Sequence, residues 1–336
     1  MRKVLLLLFV VSFCIKLFAQ TPFVTNNLLI VRAGDGAVPV SGTVPVFIDE
    51  YSPEGAFVRT INMPATASGA NKRFTLTSLT STEGLATLSA DFKYVTLVGY
   101  VASPGTTGAG QATASTVNRV IAFINQAGVI STSLVLDNNY TLAPRSAVTD
   151  DGTNVWIAGS SGGIKYVPTN TSNPVVVTVA SAFSPRSVNI FNGQLYTTLS
   201  NTAPATRMGS IGAGLPTTTD QSLTGLPGIP EGTGSPNGFV FFDTDNNSVP
   251  DLLYIADDGA GLSKYHFDGT SWIAKGTAAV SGFANNQLRG ITGRYTQGKG
   301  YILYGSTQSS VLKFVDNTSP AQTIAAVPSE VITAAT

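Results

Sequence analysis

The sequence predicts an all-β propeller, because one pattern of short strands recurs five times and no helical period follows the N-terminal segment. Each copy has a polar residue, a small residue, an apolar run, a turn and a second apolar run, as in RSVNIFNGQLYTTLS. The copies start 41 to 62 residues apart, which is typical of propeller blades. Their first residues are Glu83, Arg145, Arg186, Asn237 and Arg289.

The N-terminal segment, residues 1–19, predicts a secretory signal peptide. Arg2 and Lys3 precede an apolar run, and Ala19 provides the small residue at the cleavage point. The only cysteine, Cys14, lies inside this segment, so the mature chain has no thiol for a disulfide or a metal. Lipid anchoring is a minor alternative. We expect one propeller domain over 20–336, secreted or at the periplasm or cell surface, with no transmembrane segment after cleavage.

Charge and composition argue against a nucleic-acid partner. Cleavage removes three basic residues and leaves 16 basic against 19 acidic residues, a net charge near −3. Only 11% of the residues are charged, and glycine is abundant at 34 residues. This composition favours an extracellular β protein whose stability comes from packing.

Each copy predicts a four-stranded meander, which is clearest in the fourth copy, with strands over 238–242, 251–256, 261–267 and 271–276. In the third copy the Asn192-Gly193 dipeptide predicts a tight hairpin turn between 186–191 and 194–200. The other predicted strands are 85–89, 94–100, 117–125 and 129–136 in the first copy, 146–149, 154–158, 163–167 and 175–179 in the second, and 290–293, 300–304, 310–315 and 322–327 in the fifth.

The region before Glu83 contains three further strands, over 28–31, 46–51 and 57–62. They have the character of the second to fourth strands of another blade, so we expect six blades. A C-terminal strand would supply the missing place and leave no edge exposed. Residues 330–335 are the available segment, although they lack the polar-small-apolar opening. The alternative is that the closing strand is missing because the chain is truncated.

Several segments resemble a group of uncharacterised secreted bacterial β-propeller proteins. The segments are NLLIVRAGDG, PVFIDEYSPEG, EGLATLSADFKYVTLVGY, RSVNIFNGQLY and FVFFDTDNNSVPDLLYIADDGAGLSKY. The resemblance covers nearly the whole mature chain and implies export and a propeller fold, but no activity. In that group a short Arg-Gly-apolar strand usually follows the last blade.

One loop of the fourth copy carries the spacing of a calcium site. Oxygen ligands at alternating positions are what calcium takes from a tight loop, as in the calcium-binding hairpins of integrin-type propellers. Ser248 stands where such loops usually have glycine, and Tyr254 stands where a bidentate carboxylate is usual. The alternative is a polar hairpin loop. The predicted ligands are Asp243, Asp245, Asn247, Val249 and Asp251.

The opening positions of the five copies are the candidate ligand-binding residues. If they begin the strands nearest the axis, they surround one mouth of the channel. The three arginines Arg145, Arg186 and Arg289 would favour a carboxylate, sulfate or phosphate group. The alternative is that each arginine pairs with a blade carbonyl or with a neighbouring carboxylate. The available carboxylates are Asp150, Asp151, Asp257 and Asp258.

The residue types needed for common catalytic sites are scarce. His266 is the only histidine, which excludes a His-rich zinc site and makes a Ser-His-Asp triad dependent on that residue. Paired carboxylates remain available among Asp49, Glu50, Glu83, Asp257 and Asp258. The leading hypothesis is therefore a non-enzymatic propeller that binds an anionic ligand, a glycan or a protein. The alternatives are an extracellular hydrolase or lactonase that uses carboxylates and calcium, and a cell-surface scaffold or adhesion module.

Overall fold

The computed structural model describes residues 21–36, 41–78, 82–136, 143–160, 162–178, 183–200, 205–282 and 287–333. These residues form 24 strands and no helix, which confirms the predicted all-β class. The predicted signal peptide lies outside the described residues.

The strands form one eight-stranded and four four-stranded antiparallel sheets. We divide the eight-stranded sheet at its connecting strand β4 (Thr75–Thr77) into sheets I and II, and we number the others III to VI in chain order. Sheets III to VI each contain four strands that run outward in sequence order from one innermost strand. The strands are β1 Leu28–Ala33, β2 Thr43–Tyr51 and β3 Phe57–Asn62 (sheet I); β4 Thr75–Thr77; β5 Thr87–Leu88, β6 Tyr94–Tyr100, β7 Arg119–Asn125 and β8 Ile130–Leu136 (II); β9 Pro144–Thr149, β10 Asn154–Gly159, β11 Lys165–Pro168 and β12 Val175–Val176 (III); β13 Pro185–Phe191, β14 Gln194–Leu199, β15 Met208–Ile211 and β16 Leu223–Gly225 (IV); β17 Pro236–Phe242, β18 Leu252–Asp257, β19 Gly261–Phe267 and β20 Trp272–Ala278 (V); and β21 Gly290–Thr296, β22 Gly300–Ser306, β23 Ser310–Asp316 and β24 Ser329–Thr333 (VI).

Six apolar clusters join the sheets into a closed ring. Alternate residues of each strand face opposite sides, so a sheet fills the seam on both its sides. In sheet V, for example, Leu253 packs toward sheet IV and Leu252 packs toward sheet VI. The sixth cluster contains Leu28 of sheet I with Ile302 and Tyr304 of sheet VI. The ring therefore closes by face-to-face packing of the first sheet on the last.

The short strand β4 was not predicted, and it connects sheets I and II. It pairs with the start of β2 through Thr43–Pro45 and with the end of β6 at Tyr100, so these two sheets are continuous through hydrogen bonds. The predicted hairpin between β13 and β14 is confirmed. Asn192 and Gly193 both have positive φ, 45° and 74°, as this turn requires.

The predicted C-terminal closing strand is wrong. Residues 329–333 form β24, which pairs with β23 as the outer strand of sheet VI. The fourth strand of that blade was expected over 322–327, but Ile324 N there donates to the Lys275 carbonyl of sheet V, and its apolar side chains pack in the seam between sheets V and VI. Within the described residues, sheet I has three strands and β1 pairs only with β2.

The innermost strands β5, β9, β13, β17 and β21 all begin at the same end of the ring. The start of each contacts the start of the next, as when Leu85 N donates to the Arg145 carbonyl and Gly238 N donates to the Arg289 carbonyl. We call this end the mouth. The turns that follow these strands lie at the opposite end, which we call the far end.

Candidate functional site at the mouth of the ring

The five opening positions follow one another around the mouth. Leu85, which lies two residues after Glu83, donates its backbone N–H to the Arg145 carbonyl. Arg145 Nη1 in turn donates a hydrogen bond to the Pro185 carbonyl at 3.2 Å. The next contact is from Arg186 Nη1 to the Ser235 carbonyl, also at 3.2 Å. The structure therefore brings the positions predicted from the repeat to one end of the ring, each on or beside an innermost strand.

Arg186 and Arg289 converge on one carboxylate. Asp258 Oδ2 lies 3.2 Å from Arg186 Nη1, and Asp258 Oδ1 lies 2.8 Å from Arg289 Nε. The three side chains are only 12–13% exposed. Asp258 belongs to sheet V, so it holds together the arginine of sheet IV and the arginine of sheet VI. This pairing is what the alternative interpretation of the arginines predicted.

Several nitrogen and oxygen atoms of this cluster nevertheless lack a partner. Arg186 Nε, Arg289 Nη1 and Asn237 Oδ1 are buried and accept or donate no hydrogen bond among the described residues. A buried polar atom left in this state costs about 1–3 kcal/mol, so such atoms are usually satisfied by ordered water or a ligand. Burial lowers the pKa of Arg186, and the nearby Arg289 lowers it further while Asp258 opposes the shift. The cluster therefore contains guanidinium nitrogens whose N–H groups no described residue accepts.

Asp257, the neighbour of Asp258, has a structural role. Its carboxylate accepts hydrogen bonds from the backbone N–H groups of Ser235, Gly259 and Ala260 at 2.6–3.0 Å. These bonds fix the turn after β18 and occupy both oxygens. Asp258 is consequently the carboxylate of this pair that faces the mouth.

Arg145 and Asn237 are more closely tied to the framework than the other two positions. Arg145 Nη1 donates to Ser184 Oγ at 2.9 Å, linking sheets III and IV. Asn237 is fully buried, and its Nδ2 donates to the Ser235 carbonyl at 3.1 Å. Asn237 therefore belongs to the buried framework, whereas Arg145 is half-buried at the mouth.

Glu83 lies beside a separate cavity of about 250 Å³ at the same end. Its carboxylate accepts a hydrogen bond from Tyr100 Oη at 2.7 Å and from Thr77 Oγ1 at 2.9 Å. The other wall comes from the glycine- and threonine-rich insertion after β6, where Thr106–Gln111 line the cavity. The sequence shows the insertion over 103–115 and the repeat predicted Glu83, but neither predicted that the two would line one cavity, because the insertion occurs in only one copy.

The sequence predicted Asp258 as one of several possible arginine partners and one of several possible catalytic carboxylates, but not as the residue that two arginines share. Its position carries a signal, since it follows the second strand of its blade as Ser200 does in sheet IV, and Arg145 Nη1 reaches Ser200 Oγ at 3.4 Å. Comparing the residue after each second strand would have identified Asp258 as the one carboxylate among these positions.

The predicted calcium loop lies at the far end, between β17 and β18. Asp243 accepts from the backbone N–H groups of Asn247 and Ser248, and Asp251 accepts from the N–H of Thr244, at 2.8–3.1 Å. Ser248 adopts a φ of 70°, which explains why glycine is usual there. Among the described residues no three His, Cys, Asp or Glu side chains are grouped for a metal. The hydrogen bonds are those of a polar hairpin loop, so calcium binding stays a prediction.

The remaining candidates are parts of the framework. Asp49 bonds to Arg32, and Glu50 bonds to Arg59, both inside sheet I. His266 lies within β19, where it pairs with Leu252 and Ile273. Most aromatic side chains of the predicted strands are buried between the sheets, which leaves few of them for stacking on a sugar. The buried ones include Tyr100, Trp156, Tyr196, Tyr254, Trp272 and Tyr304.

Comparison with known proteins identifies the fold. No protein-family model matches the chain, and neither does any curated protein. The solved structures it is similar to include the periplasmic gluconolactonase PpgL of Pseudomonas aeruginosa (TM-score 0.53, 14% identity, covering 93% of this chain and 85% of that one). They also include a candidate 6-phosphogluconolactonase of Bacteroides fragilis (0.52, 12%, 91% and 81%) and a protein of Lactobacillus plantarum (0.51, 10%, 91% and 82%). At these identities the similarity establishes the propeller architecture alone.

Across the described part of the chain, no helix has the length and apolar character needed to span a membrane.

Proposed function

We propose that this chain is an exported β-propeller that binds the anionic group of a small ligand at its mouth, between Arg186 and Arg289. The observation that carries the proposal is the pair of buried, unpartnered atoms, Arg186 Nε and Arg289 Nη1, on the two guanidiniums that share Asp258. A carboxylate or phosphate bound there would accept charge-assisted hydrogen bonds from both sides.

Binding is tested by calorimetric titration of the mature chain with gluconate and with inorganic phosphate at low salt. We expect Arg186→Gln to weaken binding about tenfold, the usual effect of losing one charge-assisted hydrogen bond. Asp258→Asn should tighten binding, because it removes the carboxylate that competes for the guanidiniums.

Lys93→Gln is the matched control. It removes the same charge from an exposed turn at the far end, where Lys93 pairs only with Asp91. Equal affinity in wild type, Arg186→Gln and Lys93→Gln would refute a site at the mouth. If Asp258→Asn lowers stability and leaves affinity unchanged, the cluster only connects the sheets.

A lactonase is the second candidate, favoured by the position of the Asp258 carboxylate between two arginines at the mouth. The names of two similar structures, a gluconolactonase and a candidate 6-phosphogluconolactonase, suggest the substrate class. Asp258 would act as the general base that takes a proton from the attacking water, and the arginines would stabilise the developing oxyanion. The ester C–O bond of the lactone ring would then break, and the proton held by Asp258 would pass to the leaving ring oxygen. A pH-indicator assay with glucono-1,5-lactone tests this reaction: turnover lost in Asp258→Asn while gluconate still binds supports it, and a wild-type rate equal to that of buffer rejects it. If neither turnover nor binding of anions and glycans is found, the scaffold hypothesis takes precedence.

Export and calcium are two further parts of the proposal. Export predicts a mature N-terminus at Gln20, which N-terminal sequencing of the fractionated protein checks. For calcium, titration of the wild type and of Asp243→Ala should show heat only for the wild type. If neither protein gives heat nor a changed melting temperature, the loop between β17 and β18 binds no calcium.

A further inference from the structure

A second cavity, of about 320 Å³, opens at the far end of the seam where sheet VI meets sheet I. Sheet I contributes Pro53 and Glu54 from the turn between β2 and β3. Sheet VI contributes three strands and the turn between β21 and β22. The cavity therefore spans the two sheets whose packing closes the ring.

Three basic side chains line this cavity against one acidic side chain. They are Arg294 on β21, Lys299 in the following turn and Lys313 on β23, and the acidic residue is Glu54. The strand register places Arg294 opposite Ile302 and Lys313 opposite Tyr304, so the side chains of Arg294 and Lys313 lie on the face of sheet VI that packs on sheet I. The lining has a net charge of about +2 at neutral pH.

None of these cations forms an ion pair with the described residues. The ion pairs found there involve other side chains, and Lys313 Nζ lies over the Tyr304 ring, 5.8 Å from its centroid. Arg294 Nε is buried and has no hydrogen-bond partner among them. A buried guanidinium nitrogen without a partner carries a desolvation cost that an oxyanion would remove.

A hydrogen bond between the two sheets fixes the shape of the cavity. Tyr304 is buried and its hydroxyl donates to the Pro53 carbonyl at 3.0 Å, so the two sheets are held together at the base of the cavity. Burial raises the pKa of Tyr304, and both Arg294 and Glu54 act on it electrostatically, which places these charges beside the hydroxyl. The contact between Tyr304 and Pro53 thus fixes the walls of the cavity, and the three cations have no carboxylate partner among the described residues.

We propose that this cavity is a binding site for a dianionic phosphate or sulfate group, which connects sheet VI to sheet I and stabilises the closed ring. Two charges match the excess on the lining, and the volume accommodates the group with an attached sugar. The site lies at the far end and shares no residue with the mouth.

The proposal is tested by melting and calorimetric titration of the whole mature chain in sodium sulfate and sodium phosphate, against sodium chloride of equal ionic strength. We expect sulfate and phosphate to raise the melting temperature above that in chloride. Arg294→Gln and Lys299→Gln should each weaken binding about tenfold, and Glu54→Gln should strengthen it. Since Lys299 is exposed in a turn, its variant keeps the test valid if Arg294→Gln does not fold.

Two controls separate this site from the mouth and from general charge effects. Lys93→Gln removes a remote cation and should keep the full sulfate response. Arg186→Gln removes a mouth cation and should lose at most the part of the response that comes from the mouth, while it keeps the part that Arg294→Gln and Lys299→Gln each reduce. Hydrogen exchange should also slow in the turn at 52–56 when sulfate binds. Equal melting temperatures in sulfate and chloride, or an unchanged response in both Arg294→Gln and Lys299→Gln, would overturn the proposal. A response lost only in Arg186→Gln would assign the anion to the mouth instead.

Discussion

The seam between sheets V and VI contains a buried ion pair, whereas the seam between sheets VI and I contains cations that no described carboxylate pairs with. In the first, Lys264 and Asp316 are fully buried and form an ion pair of 2.8 Å, with Tyr254 Oη donating to the same carboxylate at 2.6 Å. In the second, Arg294 and Lys313 have no carboxylate partner among the described residues.

The two seams also differ in their apolar packing. The cluster between sheets V and VI contains 12 buried residues of the described chain, whereas the cluster that closes the ring contains five. The strand pattern explains the difference, because β21 is at most half-buried along its whole length while β17 is mostly buried. β17 is covered by β21, but β21 has no innermost strand of sheet I beside it in the described residues. A seam that lacks one strand thus has a smaller core and room for solvent or ions.

The largest expected effect is the loss of the buried lysine in the well-packed seam. Lys264→Met leaves Asp316 without its cation in a site from which water is excluded. Removing one partner of a buried ion pair costs about 3–5 kcal/mol, so we expect the free energy of unfolding to fall by that amount. Urea unfolding followed by tryptophan fluorescence measures it.

The double variant Lys264→Met with Asp316→Asn is the control for this prediction. It removes both charges, so it should recover part of the loss. If the single variant is as stable as the wild type, Asp316 takes up a proton at no cost, and the contrast between the two seams does not hold.

The second-largest loss of stability is expected in the turn between β2 and β3, where sheet I contacts sheet VI. Gly55 has a φ of 90°, and a Cβ at this position would overlap the Val331 carbonyl of β24. Overpacking costs about 1–3 kcal/mol and the left-handed conformation about 1–2 kcal/mol, so Gly55→Ala should destabilise the ring by about 2–5 kcal/mol.

Gly34→Ala separates the two contributions. Gly34 has a φ of 85° with nothing within 4 Å of an added Cβ, so this variant carries only the conformational cost of about 1–2 kcal/mol. Equal losses in the two variants would mean that the turn at Gly55 does not press on β24, and that the closing seam is looser than the contacts indicate.

The repeat predicted most strands, because each blade encodes its own apolar runs and turns locally. It missed β4 since three residues carry no period, and their pairing with two sheets depends on contacts far away in sequence. It misplaced the last strand for a similar reason. Ile324 and Ile332 stand in equally apolar segments, and the choice between them depends on which seam each side chain fills.

The sequence predicted which residues lie at the mouth, but not the contacts that their side chains make there. Alignment of the copies found Arg186 and Arg289. Their guanidiniums bind the same carboxylate although 103 residues separate them in the sequence. The alignment did not show that they share Asp258, because the spacing within one blade says nothing about the angle between blades. The cavity at the far end was not predicted at all, since Glu54 and Arg294 belong to blades at opposite ends of the chain.

Acid should weaken the seam between sheets V and VI. Burial by itself would raise the pKa of Asp316, but the hydrogen bonds from Lys264, Thr318 and Tyr254 lower it below its ordinary value. A carboxyl with a lowered pKa in the folded state stabilises the protein above the pKa of the unfolded state, about 3.9, and this stability is lost as the pH falls through the folded value. Urea midpoints between pH 7 and pH 2 should therefore fall less steeply for the double variant of Lys264 and Asp316 than for the wild type. Parallel slopes would show that this pair makes no contribution to acid unfolding.

The smallest effect is expected at the closing seam, where the same kind of substitution should cost almost nothing. Lys313→Met keeps the apolar stem over the Tyr304 ring and removes one of three unpaired cations, so in chloride the free energy of unfolding should change by no more than about 0.5 kcal/mol. In sulfate the variant should become less stable than the wild type, because it loses a contact with the bound anion. Urea unfolding in the two salts measures both values. A loss of several kcal/mol in chloride would show that Lys313 has a partner of its own, and that the two seams handle charge in the same way.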